Sequence, residues 1–107
     1  MNQDKSLYQE MSNIYPFNSG VPYVLWISQK SGREKHGARI KVSVPQENKF
    51  LTFTVSTEPK LLSKTKISLN DINSIKSWII LNQTVLIKFF NGEVDTVQFG
   101  KKLKKLQ

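Results

Sequence analysis

Between residues 31 and 39 the chain reads Ser31-Gly32-Arg33-Glu34-Lys35-His36-Gly37-Ala38-Arg39, which gathers three cations, the lone histidine and two of the five glycines. Residues of these types can hold an anion: glycines let backbone N–H groups come close, while Arg33, Lys35 and Arg39 add positive charge. The expected contact is a phosphate or an RNA backbone. The spacing from Gly32 to Gly37 is that of a nucleotide-binding P-loop, but Ala38 and Arg39 stand where that motif needs Lys and then Ser or Thr. The motif is absent, and a polar loop between two strands needs no purpose beyond solvation.

His36 has the chemistry to move a proton, because an unperturbed imidazole titrates near neutrality, and Lys35 or Arg39 could stabilise negative charge developing on a phosphate. Together these would make a metal-independent ribonuclease. A second proton-transfer group is then required, and Glu34, a tyrosine or a lysine could serve, with no spacing that singles one out. The plainer expectation is an exposed loop histidine without a catalytic role. Cysteine is missing from the chain, which excludes disulfides and cysteine-ligated zinc, and one histidine leaves little for another transition metal, so no metal and no cofactor are expected.

These candidates need elements to hold them. Residues 1–20 read as an extension in which Leu7, Met11 and Ile14 recur at helical spacing, until Pro16, Asn18, Ser19 and Gly20 break any pattern. Behind Pro22, Tyr23 to Ser28 is aromatic and β-branched and predicts a buried first strand, followed by the polar loop Gln29 to Gly37. Ala38 to Val44 alternates, Pro45-Gln46-Glu47-Asn48 has turn composition, and Lys49 to Val55 alternates again. A four-residue hairpin loop sets Val44 against Lys49, Val42 against Leu51 and Ile40 against Phe53. Arg39, Lys41 and Ser43 then share the outer face with Thr54, Thr52 and Phe50. Phe50 lies among cations, the arrangement that single-strand binders use to stack bases. Trp26 and Trp78 fall in apolar patterns and are expected in the core.

Ser56 to Lys66 has the composition of a linker. Ser68-x-x-Asp71 fits a capping box ahead of Ile72, Ile75, Trp78 and Ile79, which predicts a helix from Asn70 to Asn82. Thr84 to Phe90 and Glu93 to Phe99 flank Asn91-Gly92 and predict a type I′ hairpin with Lys88 opposite Asp95. Capping and cross-strand pairing explain the acids Asp71, Glu93 and Asp95. Lys101 to Lys105 sets four lysines around Leu103 in a tail expected to stay solvated. The chain divides into a flexible extension over 1–20, a single domain over 21–100 and a basic tail over 101–107. Its expected fold class is α+β: a mainly antiparallel sheet in the order β-β-β-α-β-β with one helix packed on it, either open or curled into a small half-barrel.

Sixteen Lys and Arg against eight Asp and Glu leave a formal charge of +8, which concentrates polyanions near the surface. Only Arg33 and Arg39 are arginines, so backbone contact is favoured over the reading of base edges. Met1 to Glu10 lacks the pattern of a signal peptide, and Trp78 to Leu81 is too short to span a bilayer, so the expected compartment is the cytoplasm. The leading reading is a small non-enzymatic protein that binds RNA or DNA backbone through Arg33, Lys35, His36, Arg39, Lys41 and Phe50. The alternative is a protein-interaction module or inhibitor, of the phage or plasmid accessory type, that meets an acidic partner or pairs into a homodimer through strand edges. Third stands a metal-independent ribonuclease toxin acting through His36.

Overall fold

An alternating strand must bury one face, and here the partner for that face is a layer of short helices. The computed structural model describes residues 10–107. The elements are β1 (Met11–Ile14), α1 (Pro16–Ser19), β2 (Leu25–Ser28), β3 (Arg39–Val44), β4 (Lys49–Thr54), α2 (Leu69–Leu81), α3 (Gln83–Phe90) and α4 (Thr96–Lys102). The four strands form one open antiparallel sheet in the order β1-β2-β3-β4, so the fold is α+β. It does not close into a barrel.

The β3–β4 hairpin has the register that alternation predicts, with Ile40 opposite Phe53, Val42 opposite Leu51 and Val44 opposite Lys49. Its turn is a short 3-10 segment, Pro45–Glu47, closed by Asn48 at φ 52°, a left-handed position that asparagine tolerates better than most residues. Ile40, Val42, Val44, Leu51 and Phe53 are fully buried. The linker beyond β4 covers that strand's outer edge, because the Leu62 N–H bonds the Thr52 carbonyl and the Thr54 N–H bonds the Lys60 carbonyl.

Met11–Ile14 is an edge strand rather than a piece of helix, paired with β2 from Met11–Ser28 to Ile14–Leu25. Leu7, which completes the helical spacing, lies outside the described residues. Three apolar residues are a thin helical signal, and an available strand edge that lets Ile14 bury itself outweighs it.

α2 begins where the capping signal places it, with the Ser68 side chain accepting the Asp71 N–H at 3.1 Å. The Asp71 carboxylate, instead of reaching back to Ser68, takes the Tyr23 hydroxyl at 2.7 Å and ties the approach to β2 to the start of the helix.

The expected C-terminal hairpin is not formed, and the order β-β-β-α-β-β is corrected to β-α-β-β-β-α-α-α. Residues 83–90 are helix α3 and residues 96–102 are helix α4. A type I′ turn needs positive φ at both central residues, whereas Asn91 has φ −80° and only Gly92, at 78°, is left-handed. The Gly92 N–H bonds the Phe89 carbonyl and the Glu93 N–H bonds the Lys88 carbonyl, so Asn-Gly ends a helix in a Schellman motif. Two signals point this way in the sequence. Val85, Leu86, Phe89 and Phe90 fall on one helical face and are all buried, and Asp95-x-x-Gln98 is a capping box that the structure completes in both directions.

The C-terminal residues are pinned rather than solvated. Asn82, buried at the α2–α3 junction, receives the Lys104 N–H at 2.7 Å and donates to the Lys104 carbonyl at 3.0 Å. Further along, the Leu106 N–H bonds the Ser19 carbonyl beside Gly20, where a Cβ would collide with the Leu106 carbonyl. Leu103 and Leu106 pack against the core while the lysines stay exposed. Among the described residues no helix is long and apolar enough to cross a membrane.

The helix stop and the hairpin turn differ in what substitution does. Gly92→Ala is expected to cost about 1 kcal/mol or more in urea unfolding, since alanine must take positive φ there. Asn91→Ala is expected to stay within about 0.5 kcal/mol, whereas a hairpin turn would suffer from both.

Candidate nucleic-acid interface

The same alternation that fills the core sorts the other half of the sheet onto an outer face. Asn13, Trp26, Lys41 and Thr52 are joined in register from β1 to β4 and form one row across it. Phe50, opposite Ser43, lies one row along and meets Trp26 edge-on, with ring centroids 5.5 Å apart and planes at 85°. None of these residues is buried, and Phe50 is 53% exposed. The Lys41 ammonium donates to the Thr52 hydroxyl at 3.0 Å, which holds it on the sheet surface.

Trp26 is thus corrected from core to surface. Tyr23 to Ser28 carries apolar residues in both parities, which hides the period, yet burial of Leu25 and Ile27 leaves Trp26 no inward direction. Trp78, by contrast, is fully buried as expected.

Beside this row an open cleft of about 200 Å³ is lined by Trp26, Ile27, Ser28, Arg39 and Lys41 from the sheet, Glu34 and His36 from the loop, and Phe90 from the end of α3. The loop starts where the Lys30 N–H bonds the Phe90 carbonyl at 2.8 Å. His36 stacks beside Phe90 with centroids 6.5 Å apart, and its Nδ1 lies 2.6 Å from the Gly37 carbonyl oxygen. A carbonyl only accepts, so Nδ1 carries the proton and Nε2 is left for other partners.

Of the residues singled out by the sequence, His36, Arg39 and Lys41 come together at the cleft, and Phe50 sits next to Trp26. Arg33 and Lys35 are exposed on the loop but do not line the cleft. Sequence reasoning missed Trp26 and Phe90, and it named Glu34 only as one of several groups that could pass a proton with His36. Phe90 was hidden by the hairpin reading of 84–99, and the Asp95 capping box is the signal that could have revealed it.

Several of the carboxylates among the described residues bond backbone N–H groups and do not form ion pairs. Glu34 accepts the Ser31 N–H at 2.8 Å and the Gly32 N–H at 3.2 Å, Asp95 caps α4, and Glu10 accepts the Thr96 N–H at 3.3 Å. Glu47 accepts the Thr65 hydroxyl and the Lys66 N–H; burial opposes its ionisation, but these bonds and Lys49 hold its carboxyl below the ordinary range. Among the described residues one ion pair forms, Lys49 to Glu47 at 3.6 Å.

The Ser31 N–H, with further help from the Ser31 hydroxyl and the Gly32 N–H, holds the Glu34 carboxyl at about 2 against an ordinary 4.5, despite some opposing burial. Because the folded value is depressed, the loop closure it supplies is fully present above about 4.5 and is lost as pH falls through about 2. The Ser31 amide resonance is therefore expected to shift with a midpoint near 2, and Glu34→Gln should remove that titration; a midpoint near 4.5 would show that the bond is not made. No protein-family model, curated protein or solved structure matches the chain, so the site is read from its own residues.

Proposed function

We propose that this protein binds nucleic acid on the open face of its sheet, without catalysis. The observation that carries this reading is the union of Trp26, Phe50, Arg39 and Lys41 on the face opposite the helices, in a chain of net charge +8. Arg39 and Lys41, with Arg33 and Lys35 from the neighbouring loop, take phosphates, and the two rings offer surfaces on which bases stack. Phosphate contact of this kind positions a chain without reading its sequence.

Fluorescence anisotropy with labelled RNA and DNA oligonucleotides tests the proposal. Binding is expected at low salt, and log K should fall against log salt with a slope of about −3 to −4 if four phosphates are neutralised. Lys41→Ala should reduce the slope by about one phosphate's share, and Phe50→Ala should weaken binding by about 1–3 kcal/mol while leaving stability within about 0.5 kcal/mol. No affinity for either nucleic acid at low salt would overturn the reading.

A second reading, metal-independent RNA cleavage, has one observation in its favour: His36 and Glu34 line a single cleft with Arg39 and Lys41. It requires that pure protein cleave RNA in the presence of EDTA, and that His36→Ala abolish cleavage with the melting temperature unchanged. RNA left intact across neutral pH removes it.

A further inference from the structure

β2 and β3 stop pairing before either strand ends. Their ladder joins Leu25 to Val42 and Trp26 to Lys41, although the same register would next bring Ile27 to Ile40 and Ser28 to Arg39. Strand parity tells which groups face the gap. The Gln29 N–H bonds the Glu10 carbonyl on the β1 side, and the Ser43 N–H bonds the Val24 carbonyl across the β2–β3 seam. The main-chain groups of Val24, Trp26 and Ser28 therefore point toward β3. On β3 the Val55 N–H bonds the Ala38 carbonyl on the β4 side, so the main-chain groups of Arg39 point toward β2. Ser28 and Arg39 face one another across a notch without forming the two-bond pair their register calls for.

Side chains make this notch a slot for a flat ring. Trp26 stands at one side, and the stacked pair of His36 and Phe90 stands within the same cleft, with His36 exposed. Arg39 and Lys41 bring positive charge to the opening. On the footing of the nucleic-acid reading above, we propose that the notch takes one unpaired nucleobase edge-first, so that the protein selects single strands over duplex. The edge of a base offers coplanar donors and acceptors, as a peptide edge does, and can supply the bonds that Ser28 and Arg39 do not give each other. A base within a duplex has that edge engaged and stays in its stack. Cations of the cleft would meet the phosphates of the same nucleotide, which fixes the strand against Trp26 and Lys41 and the neighbouring Phe50.

The test compares one oligonucleotide as a single strand and in its duplex, against the wild type and Ser28→Phe, whose ring would fill the notch from the outer face. The wild type is expected to prefer the single strand by about tenfold or more, an effect the size of one stacked base. Ser28→Phe should lose that preference, its affinity for the single strand falling to that for the duplex. Equal wild-type affinity for both forms, or a preference retained in Ser28→Phe, overturns the notch and leaves nucleic-acid binding intact; absence of binding to either form overturns both. The wild type alone gives a second readout, independent of how the variant folds. Saturating single strand should quench Trp26 emission and shield it from iodide, with Trp26→Phe assigning the signal, whereas Trp78 is buried beyond reach of either. An unquenched Trp26 at saturation overturns the proposal.

Discussion

Each apolar side chain that β3 and β4 send inward obliges its neighbour to point outward, so the core and the candidate interface are two faces of one alternating pattern. Burying side chains such as Ile40, Val42, Leu51 and Phe53 is worth about 1.5–3 kcal/mol apiece, and a slip of one residue would exchange them for Arg39, Lys41, Phe50 and Thr52. The register therefore cannot drift. Residues that never reach the surface hold the surface residues in place, and Trp26 is placed outward by Leu25 and Ile27 in the same way.

The helices complete the inner face and shape the rim of the outer one. α2 and α3 meet at Asn82, whose amide serves the Trp78 carbonyl and the Lys104 main chain together, so one buried polar residue joins two helices to the C-terminal segment. α3 then runs until the Schellman motif at Gly92 stops it, which leaves Phe90 beside the loop that carries His36. Had the chain continued as a hairpin, no ring would stand there. The cleft exists because a helix ends where two strands part.

Charge follows a similar division of labour. Glu10, Glu34, Glu47 and Asp95 bond backbone N–H groups, and Asp71 takes a tyrosine hydroxyl whose own proton is held more tightly by burial and by that carboxylate. Such bonds order loops and helix starts. Among the described residues Lys49 alone makes an ion pair, with Glu47, so the excess of sixteen Lys and Arg over eight Asp and Glu is expressed at the surface.

By itself the sequence determined several features that rest on local periodicity and local capping: the β3–β4 hairpin and its register, the outward placing of Arg39, Lys41 and Phe50, the cap of α2 at Ser68, and the burial of Trp78. Those features depend on residues within a few positions of each other, and physical chemistry gives them one solution. Tertiary structure decided the rest. Asn91-Gly92 suits both a hairpin turn and a helix stop, and packing of Val85, Leu86, Phe89 and Phe90 in the core, together with the capping box at Asp95, selected the stop. Met11–Ile14 became a strand because β2 offered an edge, and the basic tail was held because Asn82 and Ser19 offered it bonds. The notch between β2 and β3 could not be read in advance for the same reason: it is set by a loop and a helix end separated by more than fifty residues, and their meeting is a property of the folded chain.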